Sequence, residues 1–164
     1  MAVKKIQRGF ALLIAVIFMS VMLTFGLALS SLAYKQQILT STSIESQYAF
    51  YAADAALECA LYADQQQNLF EYTSNMSSPA PVMTCDGSAP FSPPTVLSHT
   101  ESRWVIFSRL SFDSGARCAD VTAYKPAINS GVTYIFSQGY NVSCSTVENP
   151  TGSRFVSRGL SIQY

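Results

Sequence analysis

Ala49-Phe50-Tyr51-Ala52-Ala53-Asp54-Ala55-Ala56-Leu57-Glu58-Cys59-Ala60-Leu61-Tyr62-Ala63 carries Ala49, Ala53, Ala56, Ala60 and Ala63 at alternating spacings of four and three. That spacing brings the five methyl groups onto one side of an α-helix, with Phe50, Leu57 and Leu61 widening the apolar face. A stripe of side chains this small lets the helix approach another surface closely. No Pro or Gly interrupts residues 27–67, and strong helix formers dominate much of that span. The pattern therefore extends upstream as one helix over about 10–66, roughly 85 Å long at ~1.5 Å per residue.

Upstream, residues 10–33 (FALLIAVIFMSVMLTFGLALSSLA) hold no ionisable side chain. A helix of that length is ~36 Å long, enough to cross a ~30 Å hydrocarbon layer. This stretch explains why only 12% of the 164 residues are charged, about half the ~25% usual in soluble domains. Lys4, Lys5 and Arg8 precede it without an acidic residue, so the positive-inside bias keeps the N-terminus cytoplasmic and exports the chain beyond residue 34. About 130 residues then remain, which excludes a large multidomain enzyme. With 10 basic and 10 acidic side chains, the chain has no general excess of positive charge for phosphate, and nucleic acid is not indicated as a partner.

Downstream, residues 67–101 contain Pro79, Pro81, Pro90, Pro93 and Pro94 among many Ser and Thr, and read as a long exposed connection. From residue 102 the period becomes two: Trp104, Ile106, Leu110 and Phe112 alternate with Arg103, Arg109 and Ser111. Further strands are expected over 118–125, 132–142 and 154–164, separated by Asp113-Ser114-Gly115, residues 126–131 and Asn149-Pro150-Thr151-Gly152. About four antiparallel strands at 102–164, covered by the alanine stripe, make a two-layer α+β domain. The chain thus divides into a leader (1–9), an apolar helix (10–33), its amphipathic continuation (34–66), a connection (67–101) and a sheet (102–164).

Cys59, Cys85, Cys118 and Cys144 all fall on the exported side, where disulfides persist. Three pairings are possible. Cys118 opens one strand and Cys144 follows the end of its neighbour, which favours Cys118–Cys144 provided the chain bends back past residue 142. With Lys125 opposite Val132, Cys118 would face Gly139. Cys59–Cys85 would then tie the connection to the helix. No Cys-x-x-Cys occurs, and the sole histidine, His99, reads as a solvated loop residue, so no metal or cofactor is expected. No catalytic constellation emerges, and the chain reads as a non-enzyme. Asp54 and Glu58 read as the wet side of the helix, Arg154 and Arg158 as surface cations, and Tyr48 and Tyr51 as local packing.

The junction Lys4-Lys5-Ile6-Gln7-Arg8-Gly9-Phe10-Ala11-Leu12-Leu13 resembles the type IV prepilin leader, a short basic peptide ending in glycine before an aromatic residue and an apolar helix. The text AFYAADAALE (residues 49–58) also looks like one branch of minor pilins. The resemblance covers the first 64 or so residues. It implies cleavage between Gly9 and Phe10 by a membrane prepilin peptidase, N-methylation of Phe10, and a long helix packed on an antiparallel sheet. It further implies a membrane-bound precursor in contact with lipid, and an assembly ATPase and platform protein that move it into an extracellular filament of pilin subunits. Most pilins carry a glutamate where this chain has Ile14, a residue thought to attract a neighbouring subunit's N-terminal amine. Ile14 cannot receive that amine, which suits a subunit at a filament tip, one that primes or caps assembly for adhesion, motility or DNA uptake. A type II secretion pseudopilin has a similar leader and helix. A membrane-anchored binding module that never polymerises is the alternative of another class. Cleavage at Gly9 would leave 7 basic and 10 acidic side chains, so the neutral balance belongs to the precursor.

Overall fold

A computed structural model of the chain describes residues 8–85, 87, 90–150 and 154–164. Residues 1–7, with Lys4 and Lys5 of the basic leader, lie outside them. The first element, α1, is a single helix over Arg8–Gln65, two residues longer at its start than expected from the sequence. It ends where Asn68 adopts φ 50° and the Leu69 N–H donates to the Ala63 carbonyl at 2.9 Å, a left-handed turn that asparagine tolerates.

The chain forms two units, Met1–Thr42 and Ser43–Tyr164. The described part of the first is helix alone, and every side chain over 10–40 is exposed. The helix is long and apolar enough to cross a membrane, with mean hydropathy 2.6 in its most apolar window. Ser20, Thr24 and Ser31 donate to the carbonyls of Ile17, Val21 and Ala28, each at 2.8 Å. Three hydroxyls within the apolar stretch are thereby satisfied by their own helix, as a hydrocarbon environment demands.

In the second unit the end of α1 packs on an antiparallel sheet of β1 (Thr95–His99), β2 (Arg103–Phe112), β3 (Arg117–Pro126), β4 (Tyr134–Tyr140) and β5 (Ser157–Gln163), ordered as in the sequence. A short helix, α2 (Cys144–Glu148), joins β4 to β5. Five strands replace the four expected. The extra one, β1, lies inside the proline-rich connection, immediately after Pro93 and Pro94, where only five residues form an edge strand with an irregular register between Val96 and Ser98. An edge strand tolerates such text because one of its sides needs no ladder partner.

Parity then sorts the side chains. Trp104, Ile106, Ser108 and Leu110 of β2, Ala119, Val121 and Ala123 of β3, and Ile135, Ser137 and Gly139 of β4 point to the helix and are buried. With Ala56, Ala60, Ala63, Phe70 and Met83 most of them form one core. The β3–β4 register sets Cys118 opposite Tyr140 and Tyr124 opposite Tyr134, one residue away from the pairing of Lys125 with Val132. Ala119 therefore pairs with Gly139 on the helix-facing side, and Cys118 shares the outer face with Tyr140, because successive strand residues alternate sides.

Candidate functional site

The alanine stripe is where the sequence places it. Ala49, Ala53, Ala56 and Ala60 are fully buried, and Leu57 and Leu61 pack against the core. Phe50 does not join them: it is 44% exposed, because it stands about 100° round the helix from Ala49. The closest approach of helix and sheet is at Gly139, a residue the periodicity does not single out. A Cβ there would lie 2.1 Å from the Ala49 carbonyl oxygen and 2.3 Å from the Ala53 nitrogen. Glycine within a strand is the one signal that such an approach leaves in the sequence.

Three polar clusters, two between helix and sheet and one on the sheet's outer face, hold the domain together, and none is legible from local spacing. Asn141, just past β4, donates to Glu45 Oε2 at 2.9 Å and to the Arg154 carbonyl at 2.7 Å, and accepts from the Val156 N–H at 2.8 Å. It joins helix, sheet and the segment before β5. Arg158 Nε donates to Ser46 Oγ at 2.7 Å, so this arginine of the last strand is turned toward the helix. At the other end of the sheet Asp64 is buried, accepts from Lys125 Nζ at 2.6 and 2.8 Å, and accepts from the Tyr164 hydroxyl. Burial first, and then the bond to Asp64, raises the pKa of Tyr164 well above the ordinary tyrosine value.

The third cluster lies on the outer face. Arg109 and Asp120 stand opposite each other on β2 and β3 and form a two-pronged pair at 2.7 and 2.9 Å. Arg109 also reaches Glu148 at 3.2 Å, and the Tyr140 hydroxyl donates to Asp120 at 3.1 Å. The bond to Asp120 holds Arg109 above its usual pKa despite burial. Burial, reinforced by the Asp120 charge, pushes Tyr140 up to about 12, against the opposing pull of Arg109.

Both disulfides, Cys59–Cys85 and Cys118–Cys144, are formed, each closing a separation of 26 residues. The first ties the connection to α1. The second draws α2 onto the outer face, where Cys118, Tyr140 and Cys144 pack with Val142 and Val147. The required bend is the capped start of α2, with the Ser143 hydroxyl accepting from the Thr146 N–H.

His99 departs from its expected place. It lies on β1, half-buried, with Nε2 at 2.8 Å from the Thr73 carbonyl, its ring stacked 5.3 Å from Trp104 and edge-on to Tyr72 at 5.7 Å. This is a structural cluster between the connection and the core. Phe10 and Ile14 are exposed along α1, and the backbone of Arg8 and Gly9 is helical. Tyr48 and Tyr51 are exposed, with the Arg117 guanidinium 4.3 Å above the Tyr48 ring. Asp54 is half-buried and Glu58 exposed; among the described residues no three His, Cys, Asp or Glu side chains stand together as a metal site requires.

No known protein family, curated protein or solved structure matches the chain.

Proposed function

We propose that the chain is a type IV pilin-like subunit that acts by assembly rather than catalysis, and that it primes or caps a filament. The observation that carries this reading is the division of labour along one helix. Over 10–40 α1 is exposed on every side, and from Ala49 its small-residue stripe is buried on the sheet of its own domain. A helix apolar all round needs an apolar surrounding, and lipid followed by the helices of other pilin subunits supplies two in succession. Gly9 before Phe10, with Lys4, Lys5 and Arg8 ahead of it, supports processing by a prepilin peptidase at that junction. Ile14 supports a terminal position, because a subunit without a carboxylate there donates its N-terminal amine without receiving one.

In this reading the precursor sits once through the cytoplasmic membrane with its N-terminus inside. An assembly ATPase and platform protein then extract it, and the sheet becomes filament surface. Mass spectrometry of the protein made alongside a prepilin peptidase tests it. The expected product starts at N-methyl-Phe10, and substitution of Gly9 by a bulky residue blocks its appearance. An uncut chain, or one cut elsewhere than after Gly9, refutes the proposal.

A further inference from the structure

The outer face of the sheet has two unlike ends. At one, α2 and the Cys118–Cys144 bridge cover it, and Arg109 is neutralised by Asp120 and Glu148. At the other lies a cavity of about 530 Å³, open to solvent and lined by Arg103, Tyr124, Tyr134, Ser102, Ser130 and neighbouring residues of the β3–β4 loop. That volume falls in the ~300–1,000 Å³ range of small-ligand sites. Its wall is ordered by hydrogen bonds: the Ala127 N–H donates to the Ser102 carbonyl at 2.9 Å, and Ser130 Oγ donates to the Ala127 carbonyl at 2.7 Å. Asn129 at φ 60° and Gly131 at φ 151° shape the turn.

Three features of the lining select a ligand. The Tyr124 and Tyr134 rings lie 5.4 Å apart and tilted by 52°, so they form angled walls instead of a flat plate. A puckered ring with C–H groups on both faces fits such walls better than a planar base does. Arg103 is exposed, its guanidinium 6.0 Å from the Tyr124 centroid, and no described carboxylate comes within ion-pair distance of it. A planar fork held beside an aromatic ring is the arrangement that binds a carboxylate through two parallel bonds. The Tyr124 and Tyr134 hydroxyls have no hydrogen-bond partner among the described residues, which leaves them for the hydroxyls of a ligand. Among the described residues Arg103 is the only cationic side chain in the lining, and residues 10–164 carry 7 basic against 10 acidic side chains. One cation in an acidic domain suits a single negative charge and opposes a polyanion.

We propose that this cavity binds an acidic sugar, a pyranose carrying a carboxylate, with Arg103 on the carboxylate and the two tyrosines against the ring. The cavity is built from β2, β3, β4 and one loop, with no residue of α1 in its lining, so the proposal goes beyond the assembly reading and is tested separately from it.

Titration of the full chain in detergent micelles, followed by calorimetry, tests this with the methyl glycosides of glucuronate, galacturonate and N-acetylneuraminate, each set beside methyl glucoside. At least one acidic glycoside is expected to bind saturably and about tenfold or more tighter than the neutral one. Arg103→Gln is expected to erase that preference while both disulfides and the thermal transition persist. Should Arg103→Gln fail to fold, Tyr134→Leu must weaken the acidic glycoside by about tenfold. Equal affinity for acidic and neutral sugars overturns the proposal. So do saturable binding unaffected by these substitutions, no binding of any of the three, and displacement of the bound glycoside by a short single-stranded oligonucleotide.

Discussion

Gly139 and Ser137 stand two residues apart on the helix-facing side of β4 and respond oppositely to the same substitution. A methyl group at Gly139 meets backbone atoms of Ala49 and Ala53 that cannot step aside. Gly139→Ala is therefore expected to cost roughly 1–3 kcal/mol, the usual range for overpacking, read as a lower thermal midpoint. Gly159→Ala is the control, because its new methyl meets the movable Phe136 ring at 3.1 Å and costs less. Ser137 is fully buried and its hydroxyl has no hydrogen-bond partner among the described residues. Ser137→Ala keeps the size the helix requires and removes that orphan, so the midpoint should hold or rise. The tyrosines give a pH dependence of fixed sign. Tyr140 ionises near 12 in the folded chain and near ~10 when unfolded, and Tyr164 is shifted the same way. The folded state binds more protons in that interval, so their contribution is full below about pH 10 and is lost as pH rises toward about 12. Denaturant titrations at stepped alkaline pH should show this loss. Tyr140→Phe should be less stable at pH 8 yet decline less steeply above pH 10.

Elements are tied to one another by the bridges. Each closes a separation of 26 residues, 59–85 and 118–144, and loop-closure entropy assigns such a bridge roughly 3–4 kcal/mol. The two loops do not overlap along the chain, so their effects on the unfolded state should add. Replacing Cys118 and Cys144 together by serine is expected to lower stability by about that amount and to release α2 from the outer face. Hydrogen exchange should then reveal faster opening at residues 144–148 while β2 and β3 stay protected. Helix and strands at this scale were largely legible, because burial on one side imposes a period that local text records: the alanines of α1, and Trp104, Ile106 and Leu110 of β2. The register of β3 on β4 was not. A turn running over 126–131 leaves a one-residue slip undecided, and the observed pairing follows from Gly139 having to face Ala49 and Ala53, a contact spanning most of the chain. β1 was hidden for a related reason: five residues beside two prolines carry too short a pattern to separate an edge strand from a loop. His99 was misplaced with it, its partners Thr73, Tyr72 and Trp104 being supplied by the fold. Asn141, Asp64 and Lys125 left no local trace either, since each meets partners 61 to 100 residues away in at least one bond.

For the whole molecule, the burial record divides the chain more sharply than the helix does. α1 runs unbroken across the boundary between the two units, yet every core residue lies at or beyond Ala49 and no side chain over 10–40 is covered. Secondary structure alone would make residues 8–42 part of the domain. Packing energy does not, because an exposed helix gains nothing from the core and isolated helical stability is small. A chain beginning at Ser43 therefore retains Glu45 for Asn141, Ser46 for Arg158, the whole alanine stripe and all four cysteines. It is expected to be water-soluble without detergent, to form Cys59–Cys85 and Cys118–Cys144, and to unfold within a few degrees of the full chain in micelles. Thermal denaturation and non-reducing peptide mapping check this. A chain beginning after Ala49 loses Glu45, Ser46 and the first alanine of the stripe, and should unfold at a clearly lower temperature. If the Ser43 chain instead collapses into aggregates or scrambles its disulfides, then the apolar helix contributes to the fold as well as to its surroundings, and residues 10–42 could not exchange lipid for other helices while the sheet stays intact.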